Sequence, residues 1–166
     1  RERGLARAIG VSNYDRGDLE RVLAAADVPP AVDQVEFSPF SFRRELLGTC
    51  EKLGVALEAY SPLTRARDLA HPVIAEVAAR VERTPAQVML RWAVQRGVPA
   101  IPKSAHRERI VENSRIFDFS LAESDMAALD GLDRTGGTDR ALESRWWTIA
   151  GRARILAARL AAPLRR

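Results

Sequence analysis

Short apolar runs recur along the chain, each followed by a turn and then by a segment whose apolar positions repeat at helical spacing. This alternation predicts β-loop-α units and a parallel sheet. Ala8-Ile9-Gly10-Val11 reads as the first strand, and Leu19, Val22, Leu23 and Ala26 then share one helical face at i, i+3, i+4, i+7 spacing. Pro29-Pro30 excludes helix before a second strand over 31–37. A helix from about Arg43 to Leu53 stops at Gly54, where a left-handed cap is wanted, and a third strand follows over 55–60. The spacing predicts helix over 73–83, and Thr84-Pro85 restarts it as N-cap and first-turn proline up to Gly97. A short fourth strand is expected at Val98-Pro99-Ala100-Ile101-Pro102, with a helix over 108–115 after it. Ser120 with Glu123 predicts a capping box opening a last helix through Leu132.

Paired glycines at Gly136-Gly137 end this compact part, so 1–139 is expected as one domain and 140–166 as a basic tail. Arginine, alanine and Trp146-Trp147 in the tail suit a segment packed on the body, or a basic amphipathic helix.

Composition narrows the class. Hydrophobic residues make up 46% and charged residues 29% of the 166, a balance that supports a single soluble core. The net charge of +4 would raise nucleic acid as a partner, but the excess sits in the tail, with Arg145, Arg152, Arg154, Arg159, Arg165 and Arg166. Neither a nucleic-acid nor a membrane partner is therefore expected of the body. One cysteine, Cys50, makes no internal disulfide, which together with the lack of a long apolar run favours the cytoplasm. The chain starts at Arg1 without methionine and in mid-pattern, the look of a processed piece or a front-truncated gene. His71 and His106 have no metal-ligand company, so no metal site is expected.

The strand and helix pattern alone fits an open doubly wound sheet or part of a barrel. The strand ends favour the barrel. Ser12-Asn13, Gln34, Tyr60-Ser61 and Lys103-Ser104 put polar or aromatic groups at four strand ends, which in a (β/α)8 barrel lie on the face where active sites are built. Arg109 falls in the first turn of the helix after the fourth strand, so helix amides, dipole and guanidinium would converge on one anion site.

Read in order, Gly10-Val11-Ser12-Asn13, Gln34-Val35-Glu36, Ala59-Tyr60-Ser61-Pro62-Leu63 and Ile101-Pro102-Lys103-Ser104 with Arg109, Glu112 and Asn113 resemble the aldo-keto reductase family. The resemblance covers residues 1 to about 147 and implies the carboxy-terminal half of a TIM-type barrel, about its last four β/α units. By resemblance, Ser12, Asn13 and Gln34 hydrogen-bond the carboxamide of a nicotinamide, and Tyr60 stacks on the ring. Ser61 and Leu63 match the turn that lines the pyrophosphate. Lys103, Ser104 and Arg109 match the cluster around the adenosine 2′-phosphate, and Glu112 and Asn113 the adenine contacts. The implied cofactor is NADP(H), with NAD(H) left open because Ala105 stands where many relatives carry a residue with more to offer the phosphate.

The implied reaction is reduction of an aldehyde or ketone, with a small carbonyl compound as substrate. Its acid, lysine, histidine and aspartate come from the family's first four units, so no catalytic residue is assigned here. The competing reading is a catalytically silent nucleotide-binding or regulatory module. A half barrel would also expose strand edges and an apolar inner face, which predicts a need for the missing amino-terminal half or for self-association.

Overall fold

The computed structural model describes residues 4–138, so the tail from 140 onward lies outside the described residues. Three parallel strands form one sheet in the order β1-β2-β3: β1 is Gly10–Ser12, β2 Val32–Glu36 and β3 Ala56–Tyr60. In register, Ser12 stands beside Gln34, Gln34 beside Glu58, and Glu36 beside Tyr60. Helices α1 (Arg16–Ala25) and α2 (Arg44–Leu53) connect the strands, and α3 (Pro72–Arg80), α4 (Pro85–Gln95), α5 (Arg107–Ser114) and α6 (Glu123–Asp130) follow.

Gly10 explains how β1 can lie against β2. A β-carbon there would sit 2.5 Å from Val32 Cγ1 and 3.0 Å from the Val32 carbonyl oxygen, so only glycine permits the approach.

The fourth expected strand, 98–102, is reduced to a single parallel bridge between Ala59 and Ala100. Ala59 N–H donates to the Pro99 carbonyl at 2.8 Å, and Ile101 N–H to the Ala59 carbonyl at 3.0 Å. Neither neighbouring rung can form. Pro99 has no N–H to give on one side, and on the other Ser61 leaves the extended conformation at φ 50°.

Asp33, Val35, Leu57 and Ala59 are buried in the core, while Gln34, Glu36, Glu58 and Tyr60 alternate with them as half-buried residues on the opposite face. The expectation of an apolar inner face is therefore corrected. Beyond Val32 and Ala56 that face is polar, and it needs less cover than a Val/Ile-rich parallel sheet. The core is centred on Trp92, whose ring stacks on Phe37 at 5.1 Å and meets the edge of Phe42 at 5.2 Å. Its buried indole N–H donates to Asp130 Oδ1 at 2.8 Å, so the polar tip is satisfied.

Two helix starts show what sets the boundaries. Thr84 caps α4 as its sequence predicts, accepting from Gln87 N–H at 3.3 Å while Gln87 Oε1 accepts from Thr84 N–H at 3.0 Å. The box expected from Ser120 and Glu123 does not form. Gln95 of α4 instead clamps the backbone of Leu121, its Oε1 accepting the N–H at 2.7 Å and its Nε2 donating to the carbonyl at 3.1 Å. That tie holds Leu121 outside the helix, and α6 begins at Glu123 with Asp125 accepting from Ala122 N–H at 3.3 Å.

Past α6 the chain is fastened to the β2–α2 loop and to the first turn of α2. The Asp133 carboxylate accepts from the N–H of Phe42 at 2.9 Å and of Gly137 at 2.7 Å, and the Gly137 carbonyl accepts from Glu45 N–H at 3.0 Å. Among the described residues no helix is long and apolar enough to cross a membrane.

Candidate functional site

The three strands deliver side chains of different kinds to one end of the sheet. After β1 the chain turns through Asn13 in the left-handed region at φ 57°, a conformation asparagine tolerates better than most residues. The turn is templated by β2. Ser12 Oγ and Asn13 N–H both donate to the Gln34 carbonyl, at 2.9 and 3.0 Å, and Tyr14 N–H donates to Asp33 Oδ1 at 3.4 Å. Asp15 then caps α1, its Oδ1 accepting from Asp18 N–H at 2.8 Å, which starts that helix three residues before Leu19.

Gln34 Nε2 donates to Glu58 Oε1 at 2.7 Å across the β2–β3 pair, and Tyr60 Oη donates to Asn13 Oδ1 at 3.1 Å. Burial pushes the Tyr60 phenol up from its ordinary value and the Glu36 carboxylate adds to this, while the Asn13 hydrogen bond works the other way. The phenol thus stays protonated at neutral pH and remains a donor. Ser12, Asn13, Gln34 and Tyr60, predicted separately, form one hydrogen-bonded constellation. Its flat aromatic ring is half-buried beside amide and hydroxyl groups.

Ser61 and Leu63 lead out of β3 into a tight turn in which Thr64 N–H donates to the Ser61 carbonyl at 2.9 Å. Ser61, Thr64, Arg65 and Ala66 all adopt positive φ, between 49° and 65°. Four non-glycine residues in that region within six positions store strain of roughly 1–2 kcal/mol each, and such strain gathers at ligand-binding turns.

Lys103 and Ser104 leave the Ala59–Ala100 bridge in the same chain direction as Tyr60, so the second predicted cluster starts from the same end of the sheet. Lys103, Arg107 and Arg109 are exposed around the start of α5. His106 gives that helix no side-chain cap, so its first-turn amides gain no partner from it. Ser104 Oγ accepts from His106 N–H at 3.1 Å and shapes the entry turn. Asn113 is half-buried on α5. Glu112 is less free than its sequence position suggests, because its Oε1 accepts from the Thr84 hydroxyl at 2.6 Å and ties α5 to the α4 cap. An open groove of about 500 Å³ between these helices holds Glu112 alone of the predicted residues, with Gln87, Arg107, Glu108, Val111 and Arg115. That groove does not include Lys103 or Arg109, on which the anion-binding expectation rests.

Three participants escape a motif reading. Glu58 partners Gln34, and nothing in Leu57-Glu58-Ala59 distinguishes it from a solvated charge. Asp33 and Arg43 are fully buried beside the site. Asp33 carried a signal, since it is a charged residue in the apolar register of β2 with Val35 and Phe37.

A parallel β/α sheet that gathers an aromatic ring, amides and hydroxyls at the carboxyl ends of its strands has them where α/β proteins build their sites. The Aldo/keto reductase family profile matches residues 1–134. The chain belongs to that family. The glyoxal reductase of Bacillus subtilis is 44% identical over 131 residues, 79% of this chain and 48% of its own length. The morphine 6-dehydrogenase of Pseudomonas putida is 43% identical over 143 residues, 78% of this chain and 48% of its own. Among solved structures, a Bombyx mori aldo-keto reductase in complex with NADP superposes with a TM-score of 0.77 at 30% identity, covering 88% of this chain and 50% of that one. The chain spans about half the length of the curated relatives it matches.

Proposed function

We propose that this chain is the cofactor-binding half of an NADP(H)-dependent aldo-keto reductase, contributing about the last four β/α units of a (β/α)8 barrel. The observation that carries the reading is the Ser12–Asn13–Gln34–Tyr60 constellation, in which a half-buried ring and fixed amide groups meet at one end of the sheet. These residues suit a flat, amide-bearing heterocycle. Ser12, Asn13 and Gln34 hold the carboxamide and Tyr60 offers its face. The turn after β3, which carries Ser61 and Leu63, follows the pyrophosphate. Lys103, Ser104 and Arg109 meet the 2′-phosphate with two cations, a hydroxyl and the open amides of α5, and Glu112 and Asn113 border the adenine. When bound, the dinucleotide supplies the hydride that reduces a small aldehyde or ketone. This chain's part is to bind and orient it.

No residue of the chain is assigned as the proton donor. Of its two tyrosines, Tyr60 is spent on Asn13 and Tyr14 packs against the core. The carbonyl oxygen needs an acid as charge builds on it, and that group comes from a partner half barrel. β1 and the 98–102 segment are the outer edges of the sheet, with Ile9 and Ile101 47% and 44% exposed there, and open edges of this kind support a partner half or a second copy.

The test mixes the chain with the separately produced first half of a related reductase and follows aldehyde-dependent NADPH oxidation. Turnover only in the mixture is expected. Turnover by the chain alone would contradict the assignment. A folded mixture that binds NADPH without turnover would favour a silent nucleotide-binding module, the reading that the engagement of both tyrosines also fits.

A further inference from the structure

The buried carboxylate of Asp33 has no part in the constellation above, yet it touches the turn that carries it. Its side chain is wholly buried, with Oδ1 accepting from Tyr14 N–H and Oδ2 lacking a hydrogen-bond partner among the described residues. Such a group is costly, and burial pushes its carboxyl up to about 6. The Arg43 guanidinium opposes that rise, as does the Tyr14 hydrogen bond, while Asp18 of α1 adds to it. Burial pushes the Cys50 thiol of α2 up to about 11, and the charge on Asp33 adds to this.

What the acid does locally is specific. Asn13 is left-handed, and that turn aims the next amide, Tyr14 N–H, back at β2. Extended backbone at Asn13 would carry both the Tyr14 amide and the Asn13 side chain elsewhere. The Tyr14 hydrogen bond and the Asn13–Tyr60 hydrogen bond thus depend on one backbone conformation.

We propose that Asp33 is a positioning residue that locks the left-handed turn at Asn13 through the Tyr14 amide, and so presents Asn13 and Ser12 to the nicotinamide end of the cofactor. This rests on the cofactor reading given above. Asp33 touches no ligand itself. Its acceptor oxygen is what matters, so asparagine, which keeps an acceptor in place, substitutes for it and leucine of similar size does not.

The experiment measures binding of NADPH and of 2′,5′-ADP, which lacks the nicotinamide, to the full chain and to Asp33→Asn and Asp33→Leu. Asp33→Leu is expected to weaken NADPH by about tenfold, the scale of one lost hydrogen bond and a loosened turn, while leaving 2′,5′-ADP unchanged. Asp33→Asn is expected to stay within about twofold of the parent for both ligands. Equal weakening of both ligands, or Asp33→Asn no better than Asp33→Leu, overturns the positioning role. Failure of the folded parent to bind either ligand overturns the cofactor reading, and the proposal with it. Should Asp33→Leu not fold, amide hydrogen exchange in the parent decides: a protected Tyr14 amide is expected, and exchange at the rate of an open loop overturns the proposal.

Discussion

The hydroxyl of Tyr60 donates to Asn13 Oδ1 at 3.1 Å, closing a link between residues 47 positions apart at the ends of β3 and β1, strands that are not neighbours in the sheet. Because β2 lies between them, the link holds only while all three strands keep register. The aromatic ring and the amide-bearing turn are thereby fixed as one surface.

Substitution at Asn13 separates side-chain from backbone effects. Asn13→Gly keeps the left-handed turn and loses only the acceptor, whereas Asn13→Ala loses the acceptor and adds strain of about 1 kcal/mol at φ 57°. Both should weaken NADPH binding. Thermal or urea melts should show Asn13→Ala the less stable of the two, and the reverse order would mean that the turn relaxes out of the left-handed region.

Ionisation of Asp33 should leave a trace in stability. Its folded value of about 6 lies above the usual 3.8, so the folded state binds this proton more tightly than the unfolded state does. The sign follows: the group costs stability above pH 6 and that cost disappears as pH falls toward 3.8, a swing of about 3 kcal/mol at ~1.4 kcal/mol per unit. Urea unfolding between about pH 7.5 and 4 should therefore lose this component in Asp33→Asn relative to the parent. Identical pH profiles for the two would contradict a buried, ionising Asp33.

The turn after β3 makes a prediction of opposite sense to the usual glycine effect. Ala66 is exposed at φ 65°, so Ala66→Gly removes left-handed strain that exceeds the added unfolded-state entropy. A gain of up to about 1 kcal/mol in chemical denaturation is expected. A loss of that size would show that the strain is not stored there.

Strand ends and helix caps were legible in the sequence because turns and element termini carry few compatible residue types. Ser12-Asn13, Tyr60-Ser61 and Thr84-Pro85 fall where their chemistry places them, and Gly54 caps α2 at φ 68° as expected. What was hidden depends on partners far away in the chain. Ser120 and Glu123 are a sound local box, overridden by Gln95 from α4. The apolar run at 98–102 has a strand's composition, but Pro99 and the turn at Ser61 leave it one bridge. Glu58 and Arg43 have meaning only once β2, β3 and α2 are side by side, a relation no single segment encodes.

The central claim, that the chain builds a phosphate-discriminating nicotinamide cofactor site, is tested most directly by fluorescence titration of the purified chain with NADPH and NADH, alone and with Lys103→Ala or Arg109→Ala. The account predicts saturable binding with NADPH the tighter ligand, and a loss of about tenfold for NADPH with little change for NADH in each variant, as expected for removing one charge-assisted contact to the 2′-phosphate. No saturable binding to a demonstrably folded chain, or equal loss for both dinucleotides, would contradict it.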